Sequence, residues 1–160
     1  MRHATAALQR ARDLAYRHLA RRDRTVLEVH RQLEGRGVDP DLVERVVGEL
    51  GELGYLDDAR FARRFAEDRR RLDHWGAERI ERRLRDLGVD REHIAAALRQ
   101  DDDEPTELET AVALLRRRYG PAPLEEPRAL ERALGVLIRR GYELELAHDA
   151  LRAHARGETA

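Results

Sequence analysis

Gly37, Gly88 and Gly141 stand 51 and 53 residues apart, and the residues around each of them repeat. Eight positions before the three glycines stand Val29, Ile80 and Ala133, and four before stand Leu33, Leu84 and Leu137. One position after are Val38, Val89 and Tyr142; six after are Val43, Ile94 and Ala147; ten after are Val47, Leu98 and Leu151. Apolar residues at this spacing on both sides of a glycine predict two amphipathic helices that meet there. An internal repeat of this length restricts the chain to an array whose copies are too thin to be stable alone and must stack on or be tethered to their neighbours.

The punctuation agrees with the periodicity. Each glycine suits the residue just past a helix end, where a left-handed backbone closes the helix without a Cβ penalty. Asp39 and Asp90 then suit the N-cap of the following helix, with Pro40 at its first turn in one copy. Val38 with Val43, and Val89 with Ile94, have the spacing of a hydrophobic staple. A further helix precedes each pair. The first is predicted from about Thr5 to Arg21, with Leu8, Ala11, Ala15 and Leu19 on one face. Thr25 and Glu28 form a capping box for the next helix, which is predicted to end near Arg36. Gly54 closes the helix before it, and Asp57 caps one that carries Phe61, Phe65 and Leu72, stapled by Leu56 on Phe61. Leu108, Val112, Leu115 and Tyr119 make the corresponding stripe in the third copy, and Gly120-Pro121-Ala122-Pro123 breaks the chain after it.

The expected fold is therefore all-α: three tandem three-helix repeats, about nine helices and no strand, in an elongated array. The repeats are expected at residues 1–54, 55–100 and 105–156, with the acidic stretch 101–104 as linker. Composition fits thin layers, because 41% of the residues are apolar but only 4% are aromatic.

What the chain lacks excludes several chemistries. It has no Cys, Ser, Asn or Lys, so thiol and serine nucleophiles, disulfides, lysine Schiff bases and a lysine-bearing phosphate loop each miss a required part. The absence of Lys and Asn also fits the coding bias of a GC-rich genome. No two histidines among His3, His18, His30, His74, His93, His148 and His154 have the i, i+4 spacing of a helical zinc site. No catalytic residue, metal or cofactor is expected. No apolar run approaches the ~20 residues of a membrane helix, so a cytoplasmic chain without membrane contact is expected.

All 31 basic residues are Arg, against 32 Asp plus Glu, for a net charge of −1. Binding to nucleic acid through bulk charge alone is therefore disfavoured. Arginine is concentrated locally instead. Arg60, Arg63, Arg64, Arg70 and Arg71 fall away from Phe61 and Phe65 on one predicted helix. Arg79, Arg82 and Arg83 lie off the Ile80, Leu84, Leu87 stripe of the next. Such faces are either solvated, with Glu67, Asp68, Glu78, Glu81 and Asp86 as local partners, or contact sites for phosphate or an acidic protein. Trp75, the single tryptophan, has the spacing of a staple on Ile80, with Gly76 as N-cap.

Two stretches resemble a known family. Leu50 to Ala62, reading LGELGYLDDARFA, followed by Phe65 and by Trp75-Gly76-Ala77-Glu78-Arg79-Ile80, is similar to the central signature of the bacterial regulatory RecX family. Leu19-Ala20-Arg21-Arg22, leading into Val29 to Leu33 and Gly37, is similar as well. The resemblance covers about Ala15 to Leu98, and the third repeat only by its pattern. It implies an elongated, curved helical array. It also implies a regulator that binds the RecA nucleoprotein filament on single-stranded DNA and inhibits its recombinase and coprotease activities in DNA repair; the three thin units, for their part, lead to the expectation of an elongated monomer. Single- or double-stranded DNA is a further implied partner, since some members bind DNA directly. The contacts it implies are the basic residues flanking the motifs: Arg60, Arg63, Arg64, Arg70, Arg71, Arg79, Arg82 and Arg83. A helix–turn–helix DNA-binding regulator and a helical scaffold without a nucleic-acid role are the alternatives.

Overall fold

The computed structural model describes residues 2–99 and 104–157, and over these residues the chain forms nine helices and no strand. They are α1 (Arg2–Leu19), α2 (Val26–Glu34), α3 (Pro40–Glu52), α4 (Asp58–Asp73), α5 (Ala77–Asp86), α6 (Arg91–Leu98), α7 (Glu107–Tyr119), α8 (Pro127–Arg140) and α9 (Leu144–Ala155). Residues 101–103 of the expected acidic linker lie outside the described residues. The chain divides into two compact units. The first is Met1–Arg63 with Leu84–Ala96; the second is Arg64–Arg83 with Ala97–Ala160. Both α4 and α5 contribute residues to each.

The first compact unit centres on Leu8, Ala11, Ala15, Val29, Leu33, Val43, Val46, Leu50 and Leu56, where α1, α2 and α3 pack. The second centres on Ala111, Val112, Leu114, Leu115, Ala133, Val136, Leu137, Tyr142, Ala147, Ala150 and Ala153. Five alanines in that set leave little side-chain volume between helices, so α9 packs closely on both α7 and α8, with Tyr142 the one aromatic among the buried members. Burial follows the repeat. The positions four before the glycine (Leu33, Leu84, Leu137) are fully covered, whereas the positions ten after it (Val47, Leu98, Leu151) are half-buried in all three copies.

The glycines close their helices as expected. Gly37, Gly54, Gly88 and Gly141 have φ of 72°, 76°, 81° and 90°. At each, the glycine N–H and the next N–H return to the carbonyls of the preceding turn. At the first corner Gly37 donates to Glu34 at 2.8 Å and Val38 to Leu33 at 3.1 Å; at the third Gly141 donates to Ile138 at 3.0 Å and Tyr142 to Leu137 at 3.2 Å. This is the paired return of a Schellman motif, which only a residue tolerant of φ > 0 can complete. The capping box at Thr25 is present, and Asp39 accepts from the Asp41 N–H with Pro40 opening α3.

Each later corner docks on the start of an earlier helix. In the first compact unit, the Thr25 hydroxyl donates to the Leu87 carbonyl at 2.6 Å, and the Val26 N–H donates to the Asp58 carboxylate at 2.9 Å. In the second, the Gly76 N–H donates to the Arg140 carbonyl at 2.8 Å, and the Ala77 N–H donates to the Glu107 carboxylate at 2.7 Å. Gly76 is the repeat equivalent of Thr25, and Arg140 of Leu87. In both cases the carbonyl-bearing end of one helix meets the N–H-bearing end of another, so opposite helix-dipole ends face each other and free backbone groups pair. The glycine is essential to the approach. A Cβ built on Gly88 would lie 2.4 Å from Leu27 Cδ2, and one on Gly141 would lie 2.3 Å from Arg79 Cβ. Gly37 meets nothing within 4 Å among the described residues. At the other end of the series, α8 opens on Pro127, which has no N–H, and Glu126 makes no side-chain cap.

Two expected core positions are on the surface. Leu72 is 57% exposed, because by the last turn of α4 its buried side has passed to Ala66 and Arg70. Leu108, in the first turn of α7, is 36% exposed; the stripe becomes covered only from Val112 onward.

Candidate functional site

The arginine-bearing helices are α4 and α5. At the start of α4 the Asp57 carboxylate accepts from the Arg60 N–H at 2.8 Å, which holds Asp57 below its usual pKa. The Arg60 side chain turns back and donates to the Gly54 carbonyl at 2.8 Å. It closes the preceding corner, while Arg63 one turn later is exposed. Both belong to the first compact unit.

The remaining six candidates belong to the second compact unit, and the structure sorts them. Arg70 is only 14% exposed and donates to the carbonyls of Ala97 at 3.2 Å and Leu98 at 3.0 Å. It caps the end of α6, whose last carbonyls have no helical partner. It occupies the position four residues after Ala66, and small residues at Ala62 and Ala66 open that side of α4 to close neighbours. Arg79 lies 4.1 Å from the centroid of the Trp75 ring and donates to the Arg139 carbonyl at 3.0 Å, on the docked α8–α9 corner. Trp75 also meets Phe65 edge-on at 6.1 Å, so it is a half-buried packing residue. Arg64, Arg71, Arg82 and Arg83 face solvent. Arg71, 77% exposed, has Asp68 at 3.5 Å, a contact worth little in water.

A second basic feature of this unit was not singled out by the sequence. Arg117 and Arg118 at the end of α7, Arg140 at the end of α8, Asp73 at the end of α4 and His74 just after it line one pocket of about 420 Å³, together with Leu72 and Leu114. Arg140 donates to the Asp73 carbonyl, and the Asp73 carboxylate is paired with Arg69. His74 has φ of 50°, unusual for a residue with a side chain, and its carbonyl accepts from the buried Tyr142 hydroxyl at 2.8 Å. Burial first, and then the charges of Arg117 and Arg140, push its imidazole below the usual histidine pKa. The available signal was the run Arg116-Arg117-Arg118 and the pair Arg139-Arg140. Runs of this kind at helix ends normally read as compensation for the helix dipole.

Among the described residues no group of three or more His, Asp or Glu side chains could hold a metal ion, and no helix is long and apolar enough to cross a membrane.

Residues 57–98 match the family model described as the second three-helix domain of RecX, and residues 11–50 match that of its first three-helix domain. Regulatory protein RecX of Halorhodospira halophila is 37% identical over 153 residues, covering 96% of this chain and 93% of that protein. Regulatory protein RecX of Amycolatopsis mediterranei is 32% identical over 149 residues, covering 92% and 85%. The crystal structure of RecX from Lactobacillus salivarius superposes with a TM-score of 0.77 at 18% identity, covering 94% of this chain and 97% of that one, a likeness of fold.

Proposed function

This chain belongs to the RecX family of regulatory proteins, and from that membership we propose that it acts on RecA. It binds the RecA filament assembled on single-stranded DNA, as a cytoplasmic monomer, and lowers recombinase and coprotease activity. The match of residues 57–98 to the second RecX three-helix domain carries this reading, because that segment holds all the candidate arginines.

The physics supports a filament ligand over a free DNA binder. At a net charge of −1 the chain gains little from bulk attraction to bare DNA. Three repeats, at residues 1–54, 55–100 and 105–156, can instead place several modest contacts on one partner, and linked contacts add through effective concentration. The candidate arginines then divide by role. Arg63, Arg64, Arg71, Arg82 and Arg83 are the contacting residues. Arg60, Arg70 and Arg79 hold the helices that present them, through the carbonyls of Gly54, Ala97, Leu98 and Arg139.

Co-sedimentation with RecA filaments on single-stranded DNA tests the proposal. Wild type should pellet with filaments and reduce strand exchange. The Arg71→Ala/Arg82→Ala/Arg83→Ala variant should keep its helicity and bind at least tenfold more weakly, since a desolvated charge-assisted contact contributes ~1.5–3 kcal/mol. Absence of wild-type binding would overturn the function, and wild-type affinity of the triple variant would overturn the site.

A further inference from the structure

We propose that the pocket formed by Arg117, Arg118 and Arg140 in the second compact unit is a phosphodiester site that holds the backbone of a nucleic-acid strand. It deepens the filament reading by giving the DNA its own contact on this chain, and it depends on that reading only for which nucleic acid is bound.

The observation behind it is an uncompensated cluster of cations in a chain that otherwise balances its charges, 31 Arg against 32 acids. The pocket brings together guanidinium groups from the ends of α7 and α8 and the imidazole of His74. Among the described residues the only carboxylate in its wall is Asp73, and Arg69 holds that one. Arg117 and Arg118 are exposed and carry no carboxylate partner among the described residues. Arg140 uses one nitrogen on the Asp73 carbonyl, which fixes the stem and leaves the rest of the fork available. Helix-dipole compensation needs one cation at each helix end. It does not account for three arginines converging on one concavity beside a half-buried histidine whose protonation burial, and then Arg117 and Arg140, oppose.

The shape selects among anions. A phosphodiester offers two free oxygens in a geometry that guanidinium forks match, flanked by sugars of lower polarity. Here the forks are flanked by Leu72, 57% exposed, and by Leu114, so the pocket of about 420 Å³ has a basic wall and an apolar wall. A lone carboxylate on a flexible stem would leave the Leu72 wall wet. The lining has no Asn or Gln to read an adenine edge, and with its arginines engaged on phosphate oxygens the binding is expected to be independent of sequence.

The test uses the full chain without RecA and a fluorescently labelled oligothymidylate, followed by anisotropy over a range of salt concentrations. Arg117→Ala/Arg118→Ala should keep its circular dichroism. It should bind about tenfold or more weakly at low salt, with a log–log salt slope shallower by about 1.4, as expected when two arginines no longer neutralise single-strand phosphates. Arg128→Ala/Arg132→Ala removes the same charge from exposed positions of α8 and should change affinity much less. His74 gives a second readout, since it faces Arg117, Arg140 and Asp73. Saturating inorganic phosphate should raise its titration midpoint by NMR in wild type and not in the Arg117/Arg118 variant. Equal affinity and slope for the two double variants, or displacement of the oligonucleotide by polyglutamate at matched charge, would overturn the proposal. Parallel filament pelleting keeps the two readings separable. If filaments bind but Arg117→Ala/Arg118→Ala leaves oligonucleotide binding intact, this site falls alone. If oligonucleotide binding drops as expected but filaments never bind, the RecA reading falls alone.

Discussion

Three equivalent glycines differ in what they face, which makes them an internal control for corner docking. Gly37, Gly88 and Gly141 share a left-handed backbone, with φ of 72°, 81° and 90°. Substitution by Ala therefore carries a common conformational cost of about 1–2 kcal/mol. At Gly37 that is the whole cost, because a Cβ there meets nothing within 4 Å among the described residues. At Gly88 the new Cβ would lie 2.4 Å from Leu27 Cδ2 and 2.6 Å from Leu27 Cβ. Rotating the Leu27 side chain cannot relieve the second contact, so the start of α2 must shift. Overpacking of this kind costs about 1–3 kcal/mol, and the displaced Thr25–Leu87 hydrogen bond adds about 1 kcal/mol. Gly88→Ala is thus expected to destabilise by roughly 3–6 kcal/mol, against about 1–2 for Gly37→Ala. Gly141→Ala should cost at least as much as Gly88→Ala, since its Cβ would meet the Arg79 backbone nitrogen at 2.5 Å. Urea unfolding followed by circular dichroism measures the order, and hydrogen exchange at the first amides of α2 locates the Gly88 effect. If Gly37→Ala and Gly88→Ala agreed within about 0.5 kcal/mol, the docking account would be wrong.

Thr25→Ala removes both an N-cap, worth about 1 kcal/mol, and the hydroxyl that satisfies the Leu87 carbonyl, whose loss costs about 1–3 kcal/mol; Thr25→Ser should restore most of it, and a total loss below 1 kcal/mol in chemical denaturation would contradict the double role. His30 lies 2.8 Å from Glu44 and 3.3 Å from Glu34, and the hydrogen bond to Glu44, above all, raises its pKa. A raised folded-state pKa means stabilisation that is complete below the unfolded value of about 6.5 and fades as pH climbs through the folded value, so the stability difference between wild type and His30→Ala should shrink as pH rises from about 6 to about 8, and a difference that stayed constant would refute it.

The local structure was legible wherever a single turn decides it. Gly88 and Asp57 announce a left-handed closure and an N-cap because the groups they satisfy lie within a few residues, and Thr25 with Glu28 does the same. What lies across the fold was not legible. The Thr25 hydroxyl reads as a cap, yet it also reaches the Leu87 carbonyl 62 residues away. Arg70 reads as part of a solvated face because helical periodicity registers only which side is apolar. Its placement follows from the small side chains at Ala62 and Ala66, which admit neighbours on a side that looks polar, and its partners are carbonyls 27 and 28 residues distant. The same limit hid the Arg117, Arg118 and Arg140 pocket. Each of those residues is ordinary at a helix end, and only the tertiary structure brings them together.

The way one corner seats on an earlier helix also bears on how such a chain can grow. Any copy carries a carbonyl-tipped corner that fits the helix start behind it and a helix start that accepts the corner ahead. A gene duplication that inserts one internal copy therefore arrives with both halves of its joints already made, and needs no new interface to evolve. The exception is the start of α8. With Pro127 in the first turn, the N–H that Val26 and Ala77 use to bind Asp58 and Glu107 does not exist. A copy added after the third would find that donor missing, so extension at this end requires replacing one proline first.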